Sequence, residues 1–382
     1  MKSSVICSAL LFGLLLTGCG SGGDGQGASS SSLNIPEGFP NPRIPDDNPI
    51  STAKITLGRH LFYEKNLSGN STQSCGSCHQ QSRAFASPET FAIGSTDERH
   101  PRNTNTLVNA AFNSTLTWAN PNLLTIERQI FVPLFSLSPI ELGATGKEEE
   151  ILSKLRNSQE YSEMFNAAFP DQEDPVSFNS VVFAIASFVR TLNSGNSPYD
   201  RFVAGDATQL SASAKRGLDL FSSERLECHH CHGGFNFTHS TTHSNDQTIT
   251  KSFHNTGLYN IGGTGDYPPD NTGVYEFSQD RNDMGKFRAP SLRNVEVSGP
   301  YMHDGSMKTL EEVIDFYSRG GRNVQSGPFR GDGKSNPFKS GFVSGFSLSE
   351  TERTDLVNFL KSLTDQLESR EFVTGNEPSI AT

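Results

Sequence analysis

Basic residues are in the minority in this 382-residue chain: 31 lysines and arginines against 42 aspartates and glutamates leave a net charge of −11. A surface of that sign repels nucleic acid and anionic headgroups, so neither is expected as a partner. Long apolar runs are lacking as well. The stretch Ala9 to Leu16 is too short to cross a bilayer. It follows Met1-Lys2 and precedes Thr17-Gly18-Cys19, the charged and small flanks of a secretory signal. Tryptophan occurs once and cysteine six times. Hydrophobic residues make up only 34%, beside 35 glycines and 20 prolines, a mix that suits a loop-rich fold.

Four of the six cysteines sit in two pentads, Cys75-Gly76-Ser77-Cys78-His79 and Cys228-His229-His230-Cys231-His232. In this spacing two thiols bond the vinyl groups of a c-type haem and the adjacent histidine ligates its iron. A zinc site or a pair of disulfides would use the same cysteines, but neither accounts for a histidine directly after each second cysteine. Two covalent haems are therefore expected, with Cys75, Cys78 and His79 holding one and Cys228, Cys231 and His232 the other.

An internal repeat surrounds the pentads. Leu57-Gly58-Arg59-His60-Leu61-Phe62 precedes the first, and Arg216-Gly217-Leu218-Asp219-Leu220-Phe221 precedes the second. Each half closes on an amphipathic pattern, Val182, Ile185, Val189 and Leu192 in the first and Leu356, Phe359, Leu360 and Leu363 in the second. The expected fold is mostly α: two cytochrome c-like domains with long loops, over 49–203 and 204–370, and a tail at 371–382. Ahead of them lie a signal peptide at 1–18 and a flexible Gly/Ser-rich tether at 19–48. Leu16-Thr17-Gly18-Cys19 resembles a bacterial lipobox, so Cys19 is expected to carry lipid, and Gly20 after it resembles the outer-membrane sorting pattern. The chain is expected on the periplasmic side, meeting a membrane only through that anchor.

Phe287-Arg288-Ala289-Pro290-Ser291-Leu292-Arg293-Asn294-Val295, Pro300-Tyr301-Met302-His303-Asp304-Gly305 and His100-Pro101-Arg102-Asn103, taken with the pentads, resemble the bacterial dihaem cytochrome c peroxidase and MauG superfamily. Two departures matter. Where classical members carry a capping histidine on the N-terminal haem, this chain reads Ile93-Gly94-Ser95, and Ser95 cannot ligate iron. His100 is nearby but is expected to be a loop or surface residue. The resemblance thus implies a five-coordinate iron on His79, open to peroxide. On the C-terminal haem, the peroxidases' methionine position falls on Tyr317. Thr309 and Glu312 form a capping box ahead of it, Gly320 and Gly321 end the helix, and Leu310, Val313, Ile314 and Tyr317 share one face. Tyr317 is the expected second ligand, with Met302 and Met307 as fallbacks.

Glu127-Arg128-Gln129 and Pro133 resemble the family's distal loop, and Glu141 its distal carboxylate, an acid/base group for peroxide. Gln129 and Pro133 would shape that pocket. Trp118 aligns with a tryptophan between the haems that relays electrons. Asn103, Ser298 and Pro300 match a calcium site, and hard oxygen donors suit Ca2+. The implied activity is that of MauG, and most closely of MbnH-type enzymes. In these, H2O2 drives the haems to a bis-Fe(IV) state that oxidises a residue of a secreted partner, here Trp to kynurenine on an MbnP-like, copper-binding protein. Leu226 stands where MauG has an exit tryptophan, which leaves the electron exit open. The alternatives are a cytochrome c peroxidase fed by a small cytochrome and a membrane-tethered electron carrier or haem sensor.

Overall fold

A computed structural model describes residues 33–367. The signal peptide, Cys19 and the 371–382 tail fall outside the described residues. The longer helices are α1 (Thr52–Tyr63), α2 (Ile126–Phe135), α3 (Glu148–Arg156), α4 (Gln159–Ala168), α5 (Phe178–Val189), α6 (Ala212–Phe221), α7 (Leu310–Arg319) and α8 (Glu350–Lys361). Strands are confined to two antiparallel pairs of two residues each, Phe253–His254 with Phe287–Arg288 and Asn323–Val324 with Gly331–Asp332.

Local chemistry explains the helix starts. Ser51, Ser177 and Ser211 each accept an N–H from the first turn of α1, α5 and α6, and Ser349 with Glu352 closes a capping box on α8. The repeat then shows itself in packing. In the first half α1 crosses α5, and a Cβ added at Gly58 would lie 1.9 Å from the Ala184 carbonyl oxygen. In the second half α6 crosses α8, and a Cβ at Gly217 would lie 2.0 Å from the Asp355 carbonyl oxygen. Each domain thus uses a glycine at the same repeat position to let its opening and closing helices touch along their backbones. Leu57, Leu61, Phe62, Ile185 and Phe188 fill the first core; Phe221, Phe237, Leu356, Phe359 and Leu360 fill the second.

Two expected boundaries move. Residues 33–48, counted with the flexible tether, pack onto the body. Leu33 is buried, its carbonyl accepts from Asn193 Nδ2, and the Phe39 ring meets those of Phe112 and Phe235. The short helix Pro198–Val203, counted with the first domain, packs into the second through Tyr199, which contacts Phe237 and Phe359. Arg293 secures that helix, its buried guanidinium gripping Asp200 with two bonds of 2.9 and 3.0 Å, and between the halves Asn109 donates to Asn236 at 3.0 Å.

Candidate haem sites and the pocket of Glu141

Each pentad forms a one-turn helix, Cys75–Cys78 and His229–His232. All four cysteines are free, so the disulfide reading fails. The zinc reading fails too: among the described residues only Glu224, His229 and His230 bring three metal-donor groups together, and no pentad cysteine is among them. His79 Nδ1 bonds the Phe85 carbonyl at 2.8 Å, and His232 Nδ1 meets the Phe237 and Pro290 carbonyls at 3.2 and 3.1 Å. Phe85 and Phe237 both adopt left-handed backbone, φ +57° and +48°, an uncommon conformation for a bulky residue. That turn aims the carbonyl at the ring. Fixing Nδ1 as the donor leaves Nε2 as the lone-pair nitrogen, the form an iron ligand needs. Burial lowers both histidines' affinity for a proton, which keeps the rings neutral.

The residues around the second pentad fit a haem. A cavity of about 210 Å3 is lined by Cys228, Cys231, His232 and Tyr317 among apolar side chains. Tyr317 projects from α7, whose capping box at Thr309 and left-handed Gly320 (φ +82°) fix its two ends as the sequence predicts. Met302 also lines this cavity and Met307 does not. Two buried polar groups at the same cavity, unassigned in the sequence reading, suit the carboxylates of a porphyrin. His303 Nε2 has no hydrogen-bond partner among the described residues, and Arg288 spends Nε and one terminal nitrogen on Thr117 and Asn105.

Around the first pentad the groups differ. Glu141 lies in a loop, and its carbonyl accepts from Ser95 N at 2.7 Å, so Ser95 is tied to that loop by its backbone. Gly94 allows the approach: a Cβ there would lie 1.8 Å from the Ile140 carbonyl oxygen. Burial raises both the Cys75 and Cys78 thiols; Glu141's charge adds to this, next after burial at Cys78 and behind the neighbouring Cys78 thiol at Cys75. Burial lifts the Glu141 carboxyl itself to about 7. Gln129 Oε1 is buried without a partner among the described residues, and the Pro133 carbonyl accepts Leu142 N at 2.8 Å, joining α2 to the Glu141 loop. Glu127, by contrast, is a buried anchor, paired with Arg190 at 2.6 and 2.9 Å and with Asn48 at 2.7 Å.

His100 lies in a loop, as expected, but it has a partner the sequence does not reveal. It is part-buried with Nε2 3.9 Å from Glu141 Oε1. Burial pushes the imidazole's pKa down while it pushes the carboxyl's up, so near neutral pH the two are not a full ion pair.

Trp118 sits between the halves. Its Nε1 donates to the Asn103 carbonyl at 2.7 Å, and its ring meets His303 edge-on at 6.4 Å. Leu226 is buried against the second cavity, so it offers no aromatic surface there. Asn103, Ser298 and Pro300 line that cavity too. Asn103 Nδ2 donates to the Glu89 and Thr90 carbonyls at 3.2 Å, which points Oδ1 away from them. The Ser298 and Pro300 carbonyls accept no backbone N–H among the described residues. Three neutral oxygens of this kind fit a hard cation, though without the carboxylates that tighten calcium sites.

A family model described as di-haem cytochrome c peroxidase matches residues 52–208. The methylamine utilization protein MauG of Methylorubrum extorquens is 32% identical, over 88% of this chain and 84% of its own. Cytochrome-c peroxidase IdrP1 of Denitromonas iodatirespirans is also 32% identical, over 84% of each chain. A crystal structure of a MauG-like protein associated with microbial copper homeostasis superposes with a TM-score of 0.87 at 47% identity, covering 89% of this chain and 98% of that one.

Proposed function

Because the chain belongs to the di-haem cytochrome c peroxidase and MauG family, whose members are peroxide-using haem oxidoreductases, we propose that it spends peroxide on a partner protein, oxidising a tryptophan to kynurenine. The observation that carries this reading is the inequality of the two sites: Ser95 where an iron-capping side chain would stand beside Glu141, and Tyr317 lining the cavity of His232. Two haems, held through Cys75, Cys78 and His79 and through Cys228, Cys231, His232 and Tyr317, would supply the iron that peroxide oxidises. Glu141 accepts the proton of the bound peroxide and returns it to the departing oxygen. Gln129 and Pro133 shape the space above His79. Trp118, at the meeting of the halves, links the two sites for electrons, and Asn103, Ser298 and Pro300 hold a Ca2+ that braces the same junction. Similarity to the copper-homeostasis protein supports a secreted, copper-binding, MbnP-like partner. Cys19 anchors the enzyme at the periplasmic face of the outer membrane.

The test is mass spectrometry of such a partner after incubation with holoprotein and H2O2. Gain of one oxygen with loss of one carbon at a tryptophan is expected. The resting holoprotein is expected to show one high-spin and one low-spin haem. An unmodified partner together with rapid turnover on a reduced small cytochrome would make this a peroxidase instead. Two low-spin haems inert to peroxide would make it an electron carrier or sensor.

A further inference from the structure

Between its cysteines the second pentad carries His229 and His230 where the first has Gly76 and Ser77. Successive residues of a helical turn point about 100° apart. These two rings nevertheless lie 4.2 Å apart at 34°, and both turn Nε2 to one carboxylate: His229 is 3.4 Å from Glu224 Oε1 and His230 3.3 Å from Glu224 Oε2. A second carboxylate joins them, Glu227 Oε2 at 2.9 Å from His230 Nε2. Glu227 is in left-handed backbone, φ +59°. His229 Nδ1 and Glu227 Oε2 are both buried and neither makes an aligned hydrogen bond. Phe342 stacks on His230 at 4.4 Å and holds that ring in place.

We propose that Glu224, His229 and His230, with Glu227 beside His230, form a binding site for a divalent transition metal of the Zn2+ and Cu2+ class, at the outer edge of the second haem domain. Imidazole and carboxylate bind such ions at about 2.0–2.2 Å, so two ligands of one ion stand no more than about 4.4 Å apart. The Glu224–His229 and Glu224–His230 separations of 3.4 and 3.3 Å fall inside that limit. Two imidazoles select against calcium and magnesium, and the ordinary stability order puts Cu2+ ahead of Zn2+. The site is separate from the iron ligand: His232 Nδ1 is engaged by the Phe237 and Pro290 carbonyls.

Holoprotein stripped with chelator and dialysed near neutral pH against Zn2+, and separately against Cu2+, is expected to retain one equivalent beyond its iron. Glu224 is exposed (78%), so Glu224→Gln leaves the fold and both haems intact and serves as the decisive variant. It is expected to weaken binding about tenfold or more, and His229→Gln/His230→Gln to abolish it. His243→Gln, at the unrelated His243–Asp246 pair, is expected to change nothing. Failure of the parent to hold an equivalent, or undiminished binding by haem-complete Glu224→Gln, would overturn the site.

Discussion

The two halves of this molecule are alike where they hold a haem histidine and unlike where a ligand would meet iron. Gly58 and Gly217 let equivalent helices cross at backbone contact, and Phe85 and Phe237 present carbonyls to His79 and His232 from the same unusual backbone region. Beyond those histidines the resemblance ends: Glu141, Ser95 and His100 gather in the first half, and the α7 phenol of Tyr317 lines the cavity of the second. Holding an imidazole neutral and oriented has one good solution, so duplication keeps it. Reactivity is set by what occupies the opposite side, and there the copies diverge.

The largest expected effect breaks that contrast directly. Glu141→Gln keeps the shape of the pocket but removes its base, and the reaction with peroxide is expected to slow about 10²–10⁴-fold. Burial raises this carboxyl, so the proton-accepting form is depleted at acid pH; the stopped-flow rate is expected to climb with pH through about 7 and flatten above it. The Gln variant should lose that step. An unchanged rate would move the peroxide chemistry to the other half.

Each half also has a buried charge pair, and the two are expected to differ in cost. Glu127 is held below its usual range although burial opposes its charge, because Arg190 donates to it and neutralises it. Arg190 Nε has no other partner, so Glu127→Ala strands a buried guanidinium at a cost of about 3–5 kcal/mol. Arg293 keeps the Phe235 carbonyl at 2.8 Å when Asp200 is removed, so Asp200→Ala is expected to cost less. Chemical denaturation of both variants checks the order, and equal losses would contradict it.

Gly58→Ala and Gly217→Ala are expected to behave alike. In either case the new methyl meets a backbone oxygen about 2 Å away, so the helices must part, costing about 1–3 kcal/mol against the 0.5–1 kcal/mol alanine returns in propensity. A large difference between their melting temperatures would mean that the two crossings are not the same device.

Features written in short stretches were legible before the fold was known. The pentads, the Thr309–Glu312 cap, the Gly320 stop and the register of Tyr317 all depend on residues within a turn or two of each other. What escaped depends on contacts distant in sequence. Residues 33–48 have no periodicity to betray that Phe39 lies against Phe112 and Phe235. His100 reads as a surface residue until the Glu141 loop, some forty residues on, folds over it. Nothing in the composition marks Phe85 and Phe237 as left-handed, because phenylalanine is not a residue that prefers it. The His229–His230 pair was visible as a motif, but the convergence on Glu224 was not.

The smallest effect tests whether Tyr317, the proposed ligand of the second half, is held by local chemistry alone. Thr309 Oγ1 accepts Glu312 N at 3.2 Å, while Glu312 returns a carboxylate to the start of the helix, and Tyr317 rides two turns further along. Thr309→Ala removes the cap at about 1 kcal/mol. If the cap positions Tyr317, the low-spin haem's spectrum should broaden or shift slightly while the first haem reacts with peroxide at the parent rate. If packing of Leu310 and Ile314 in the second core suffices, only the melting temperature should fall. The first result assigns the asymmetry of the halves to a capping box read directly from sequence; the second assigns it to the core beneath α7.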